Sequence, residues 1–211
     1  MDDVRMIDVK EEILADNNQV AAGVRERLCK AKTLLLNLMS SPGSGKTSLI
    51  LRSAEGLKDS VRLGVIEADI DSKVDAEKVS ALGIPAVQLR TGGFCHLDAT
   101  MVTQGIDALA AKNFDLIIIE NVGNLVCPAE FDTGAHKNVM ILSVPEGDDK
   151  PLKYPLMFSI CDVLLVNKMD YLSLGDFDMA ALRKRVLALN PDIQIIKVSC
   201  KTGAGIGEWV D

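Results

Sequence analysis

The sequence predicts an α/β fold, a mostly parallel sheet with helices on both faces. Three observations point there. Hydrophobic residues make up 48% of the 211-residue chain but aromatics only 4%, and an aliphatic core suits a sheet covered on both sides. Short apolar runs such as 34–39 and 114–119 alternate with longer amphipathic stretches, the rhythm of strand–helix–strand units. The first apolar run also feeds a loop of small residues, Ser40-Ser41-Pro42-Gly43-Ser44-Gly45, followed by Lys46-Thr47 and a helical pattern.

The length suits one domain spanning residues 1–211, with a leading helix over about 1–31. No linker rich in Pro, Gly or Ser divides it, and no internal repeat is visible. A net charge of −7 argues against a nucleic-acid partner, which needs a basic face. No apolar run approaches the roughly 20 residues of a membrane span, and Met1–Arg5 is not a signal peptide. The expectation is a cytoplasmic protein without membrane contact. Its five cysteines would then stay reduced and available for metal or catalysis.

The leading segment places Val4, Ile7, Ile13, Leu14, Val20, Val24 and Leu28 at roughly helical spacing, for packing on the sheet or on a partner. Residues 34–39 read as a buried strand. Strand, small-residue loop, Gly-Lys-Thr and helix is the context of a phosphate-binding P-loop. Backbone N–H groups of Gly43, Ser44, Gly45 and Ser48, with the helix N-terminus, can wrap a phosphate. Lys46 would reach the β- and γ-phosphates, and the Thr47 hydroxyl would hold Mg²⁺. The generic pattern has Gly at the first loop position, where this chain has Ser40. The fold expected is therefore that of P-loop nucleotide triphosphatases.

A second strand, 62–68, runs into Asp69, Asp71 and Asp75. Carboxylates at a strand's end beside a P-loop are where Mg²⁺ and the attacking water are held. Asp69 and Asp75 fit that role, and Asp71 suits a helix cap equally well. A third strand, 84–89, opens into a loop with adjacent Cys95 and His96, then a helix over about 97–111. The strand 114–119 ends in Glu120-Asn121-Val122-Gly123. An acid, two residues and a Gly form the second nucleotide signature, the carboxylate serving Mg²⁺ and the Gly123 N–H sensing the γ-phosphate. Asn124 stands where many GTPases place a water-orienting Gln, so hydrolysis is expected to be slow or to use another group such as Asp69.

Cys127 follows Glu120 by seven residues, so a loop shift at the γ-phosphate would carry it along. Cys95, His96 and Cys127 then supply three soft or borderline metal ligands from two loops. Three ligands leave a tetrahedral or square-planar site incomplete, and a symmetric dimer can complete it. His136 reads as a surface residue, Cys161 as an apolar filler, and Cys29 has no assigned role.

The loop 146–150 reads either as a solvated turn or as a partner contact, with Lys153 just beyond it. A strand, 162–166, ends in Asn167-Lys168-Met169-Asp170, the guanine-reading pattern. Asp170 accepts from the guanine N1–H and amine and rejects adenine, which presents an acceptor there. The Lys168 stem covers the base. A helix over about 177–190 and a strand 193–198 lead to Ser199-Cys200-Lys201, whose backbone N–H groups are expected at the guanine O6.

With these segments in view, the sequence resembles the hydrogenase nickel-incorporation GTPase family, HypB, over nearly its whole length. The resemblance rests on Ser40–Thr47, Cys95-His96-Leu97-Asp98-Ala99, Glu120–Pro128, Glu146–Lys150 and Asn167–Asp170. Ser40 in place of Gly is a feature of that family. The resemblance implies a SIMIBI-class GTPase that forms a homodimer with GTP and serves maturation of nickel–iron hydrogenase. It implies Ni²⁺ or Zn²⁺ bound by Cys95, His96 and Cys127 at the dimer interface, and Lys153 reaching the nucleotide of the opposite subunit. It further implies a HypA-type metallochaperone and a hydrogenase large-subunit precursor as partners. Residues 1–31 hold neither a Cys-rich motif nor a His tract, so delivery is expected to rest on the interface site or on such a partner. Two other readings stand beside this one: a urease-type nickel GTPase, and a GTP-dependent regulatory protein whose interfacial zinc is structural.

Overall fold

The structure, a computed structural model, describes residues 9–69, 74–109 and 113–211. Seven strands form one sheet in the order β3-β2-β4-β1-β5-β6-β7, and every neighbouring pair is parallel. The strands are β1 Leu34–Ser40, β2 Leu63–Asp69, β3 Ala86–Arg90, β4 Leu116–Glu120, β5 Lys137–Ser143, β6 Val163–Asn167 and β7 Gln194–Lys197. Parallel strands need crossovers, which α2 Lys46–Leu57, α3 Val74–Ala81, α4 Ala99–Ala108, α7 Pro155–Ile160 and α8 Met179–Leu189 supply. The long α1 Val9–Ala31 leads the chain and the short α9 Ile206–Val210 ends it.

Alternation along β1 divides the core. Leu36 and Leu38 face a cluster with Leu49, Ile50, Val79 and Ile206, from α2, α3 and α9. Leu35 faces the opposite side, among Val24, Leu28, Val102 and Ile106 of α1 and α4. Met39 continues on that second side with Met157, Phe158, Leu182 and Val186 of α7 and α8. Both faces are thus roofed by helices, as the aliphatic composition implies.

The leading helix buries Val24 and Leu28 as expected, but the rest of its stripe differs. Asn17, Ala21, Val24 and Leu28 are the buried positions, whereas Ile13 and Val20 face outward. Small Ala21 and polar Asn17 fit closely against the loops below, which apolar spacing alone does not reveal. Val4 and Ile7 lie outside the described residues.

The fourth helix starts at Ala99 rather than near Leu97. The Asp98 carboxylate accepts from the Met101 N–H at 2.7 Å, and such a cap fixes the helix start. Leu97 is left as a fully buried plug. A single turn, α5 Cys127–Glu130, with Pro128 near its start, forms where a plain loop was expected. A second short turn, α6 Lys150–Lys153, precedes α7.

Among the described residues no helix is long and apolar enough to cross a membrane. Phe158 is fully buried beneath the β5–β6 face. Phe158→Ala is expected to cost about 3–5 kcal/mol, read as a lowered urea midpoint with an unchanged slope.

Candidate functional site

All seven strands point their carboxyl ends the same way, and β1, near the middle, opens there onto the loop 41–45. Ligands of open parallel sheets bind at such an edge. A cleft of about 490 Å³ lies there, lined by Gly43, Gly45, Lys46, Thr47, Ser48, Asp69, Glu120 and Gly123, among others. A larger groove of about 770 Å³ lies at the amino end, against Leu63, Ile84, Pro85 and Phe114. It gathers no phosphate cradle and no ligand set.

The cradle is held from several sides. Lys46 is buried, and its Nζ donates to Ser40 Oγ at 3.1 Å; the hydroxyl in place of the generic glycine is therefore a partner for the loop lysine. Gly45 has φ +106°, and a Cβ there would meet Asn167 Nδ2 at 2.4 Å, so only glycine fits. Thr47 Oγ1 donates to Glu120 Oε1 at 3.0 Å. A hydroxyl and a carboxylate so close, with Asp69 in the same cleft, form an oxygen set suited to a hard divalent cation. Gly123 brings the β4 loop so near Pro42 that a Cβ would sit 3.0 Å away. Asp75 lies in α3 with its side chain outside the described residues, as does Asp71 altogether.

Glu146 is a contact of the cradle that the sequence does not reveal. The loop is not simply a solvated turn: Glu146 Oε2 accepts from Ser44 Oγ at 2.7 Å, from Ser143 N at 2.8 Å and from Ser143 Oγ at 2.7 Å. It thereby clamps the cradle to the end of β5. Burial pushes its carboxyl up, but hydrogen bonds from Ser41, Ser44 and Ser143 outweigh this, and the net shift is downward.

The segment Asn167–Asp170 is stitched to the cradle. Asn167 Nδ2 donates to Ser44 O at 2.9 Å, and Lys168 Nζ donates to Gly43 O at 2.7 Å. Asp170 accepts from Ser199 Oγ at 2.7 Å, with Lys201 Nζ 3.8 Å away, and this hydrogen bond, aided by neighbouring lysines, holds its carboxyl below the usual range. Two expectations change here. The Ser199 N–H donates to Ala204 O, and the Cys200 N–H donates to Asn167 Oδ1 at 3.2 Å. Both residues therefore shape the loop instead of turning those N–H groups toward a base. Lys153 is exposed and paired with Asp149 at 2.5 Å.

Beside the cleft, Cys95, His96 and Cys127 converge, with candidate ligand atoms all within 4.8 Å of one another. The Cys95 and Cys127 sulfurs are 2.8 Å apart, and both cysteines are free. A hydrogen bond with Cys95 and partial burial push the Cys127 thiol up. Burial lowers the His96 pKa against the opposing pull of Asp98 and Glu130, and its ring stacks on Phe131 at 3.9 Å. Asn124 donates to Cys95 O at 3.3 Å and accepts from the Val126 N–H at 2.9 Å. It bridges the two cysteine loops and does not point to the cleft as a water-orienter would.

Asn17, from the leading helix, also joins these loops. Its Oδ1 accepts from the Ala99 N–H and its Nδ2 donates to Asp132 O, both at 2.9 Å. His136 is not a bare surface residue: its Nδ1 accepts from the Leu35 N–H at 3.0 Å, and its Nε2 lies 3.4 Å from Cys29 Sγ. Cys161 is buried beside Met157, as a filler should be.

Comparison with known proteins agrees with this geometry. The family model described as "CobW/HypB/UreG, nucleotide-binding domain" matches residues 34–197. The hydrogenase maturation factor HypB of Azotobacter vinelandii is 49% identical over 206 residues, 98% of this chain and 68% of that protein. The chain belongs to the HypB family. That family is one of P-loop GTPases. HypB from Helicobacter pylori, solved in complex with nickel, superposes with a TM-score of 0.88 at 39% identity, covering 92% of each chain. HypB from Archaeoglobus fulgidus gives 0.87 at 39% identity over 94% of this chain and 97% of that one.

Glu146→Gln is expected to lower stability at pH 7 by about 1–2 kcal/mol, the cost of weakening a charge-assisted hydrogen-bond set. A carboxyl whose folded pKa is depressed stabilises above its unfolded pKa and loses that effect as pH falls through the folded value. Wild type and variant should therefore begin to converge in urea denaturation as pH falls below the ordinary glutamate value of about 4.3, and converge fully only beneath the carboxyl's depressed folded pKa.

Proposed function

We propose that this chain is a GTP-hydrolysing metallochaperone that delivers nickel during maturation of nickel–iron hydrogenase. The observation that carries the reading is the convergence of Cys95, His96 and Cys127 within 4.8 Å, beside a cradle held through Thr47 and Glu120. Residues 1–211 act as one GTPase unit with a leading helix.

In this reading the backbone of Gly43, Ser44, Gly45 and Ser48 cradles the phosphates and Lys46 neutralises them. Asp170 reads the guanine edge, with Lys168 over the base and the segment Ser199-Cys200-Lys201 closing the pocket. Thr47 and Glu120, with Asp69 and Asp75, would hold Mg²⁺, which when bound offsets charge on the β- and γ-oxygens. Asp69 orients the attacking water, because the Asn124 amide is engaged between the cysteine loops. The Gly123 N–H meets the γ-phosphate, so its loss on hydrolysis loosens the loop that carries Cys127.

Two thiolates and one imidazole per chain suit Ni²⁺ and Zn²⁺ alike. Ligands from a second copy complete the site, so GTP favours a homodimer, with Lys153 placed to reach the partner's nucleotide. The expected exchange partners are a HypA-type metallochaperone and the hydrogenase large-subunit precursor, in the cytoplasm. The separate Cys95-His96 and Cys127-Pro128 segments favour this target over that of a urease-type nickel GTPase.

Replacing Cys95 or Cys127 with Ala should weaken Ni²⁺ binding by more than about tenfold while GTP turnover and dimerisation persist and hydrogenase maturation fails. Unchanged nickel affinity would remove the metal site. Collapse of the dimer in both variants would instead favour a structural zinc.

A further inference from the structure

Glu120 and Asn121 are successive residues, and the strand carries them to opposite faces of the sheet. Glu120 bonds Thr47 on the α2 face. Asn121 is fully buried and borders the cradle cleft, but its side-chain amide bonds toward the face of α1 and α4. There its Oδ1 accepts from the Leu97 N–H at 3.2 Å and from the Val122 N–H at 2.9 Å. Its Nδ2 donates to Asn37 Oδ1 at 3.0 Å, and Asn37 Nδ2 donates to Asn138 Oδ1 at 3.1 Å. Two backbone donors on Oδ1 fix the orientation of the amide, because a flipped amide would set N–H against N–H. The Asn121 N–H itself bonds Leu38 O at 3.0 Å, so the residue remains in register with the strand that ends in the cradle.

Leu97 follows His96 directly. We propose that Asn121 is a positioning residue that transmits the nucleotide state from the Glu120 loop to the Cys95-His96 half of the metal site. This rests on the metal-delivery reading above and deepens it. Covalent connection alone moves Cys127 with Glu120 and leaves Cys95 and His96, on a separate loop, behind. The Asn121–Leu97 bond, together with the Asn124–Cys95 bond, makes both halves of the site move with one loop. The amide chain to Asn37 and Asn138 anchors its far side in the sheet, so a shift at residues 120–123 changes the Leu97 contact and not the core.

The test is Ni²⁺ affinity measured in two states, with a non-hydrolysable GTP analogue and with GDP, for wild type, Asn121→Ala and Asn121→Asp. The Asp variant keeps an acceptor for the Leu97 N–H. Wild type should bind Ni²⁺ at least about fivefold more tightly with the analogue. In Asn121→Ala that ratio should fall toward one, while analogue affinity stays within about threefold of wild type and thermal unfolding remains cooperative. Asn121→Asp should recover part of the ratio. A folded Asn121→Ala with the wild-type ratio overturns the role of Asn121 and leaves the metal-delivery reading intact. A wild-type ratio of one overturns the coupling and this proposal together. Should Asn121→Ala not fold, amide exchange of Leu97 in wild type decides. Slower exchange with the analogue than with GDP supports the link, and equal exchange overturns it.

Discussion

Side chains leave a strand alternately on its two faces, and at the carboxyl end of β4 that rule separates Glu120 from Asn121. One carboxylate meets Thr47 at the mouth of α2. The next side chain meets the backbone just beyond His96. Every other part of the site is arranged around this point. The cradle approaches it through Pro42 and Gly123, and the Cys95–His96 segment approaches it through Leu97 from the opposite side. A sheet buried on both faces is what allows a single strand end to serve two sites at once.

The cradle is preorganised by polar contacts rather than by apolar packing. Glu146 holds Ser44 and the end of β5. Asn167 and Lys168 hold the carbonyls of Ser44 and Gly43. Polar contacts between a loop and its surroundings rigidify the loop, because any displacement breaks one of them. The phosphate and base sides are therefore braced against each other. The loop between Glu120 and Cys127 is tied to the neighbouring cysteine loop by two side-chain amides, Asn121 and Asn124. A rigid grip beside a more lightly tethered cysteine loop is the division that the proposed switch requires.

Much of this was legible in the sequence. Apolar runs located strands β1, β2, β3, β4, β6 and β7 to within about two residues. Gly-Lys-Thr, Glu120–Gly123 and Asn167–Asp170 fall at strand ends, where chemistry concentrates in parallel sheets. Cys95, His96 and Cys127 do meet. What stayed hidden was the work of polar side chains inside apolar segments. Asn17 lies within a helical stretch that was read for its hydrophobic spacing, and its partners are more than eighty residues away. Asn37 interrupts the apolar run of β1, and that interruption was the one local sign of the amide chain. Glu146 sits in a charged loop, and nothing local distinguishes a clamp from a solvated turn. Ser199 and Cys200 were given outward N–H groups because motif logic does not register competing partners within the same loop.

The central claim is that nucleotide and metal are energetically coupled through the loop that ends β4. Coupling free energy is reciprocal, so the metal must act on the nucleotide by the same factor as the nucleotide acts on the metal. The most direct measurement is equilibrium binding of a non-hydrolysable GTP analogue with and without saturating Ni²⁺. The account predicts that Ni²⁺ tightens analogue binding about fivefold or more and does not tighten GDP binding. Equal analogue affinities in the two conditions would contradict it.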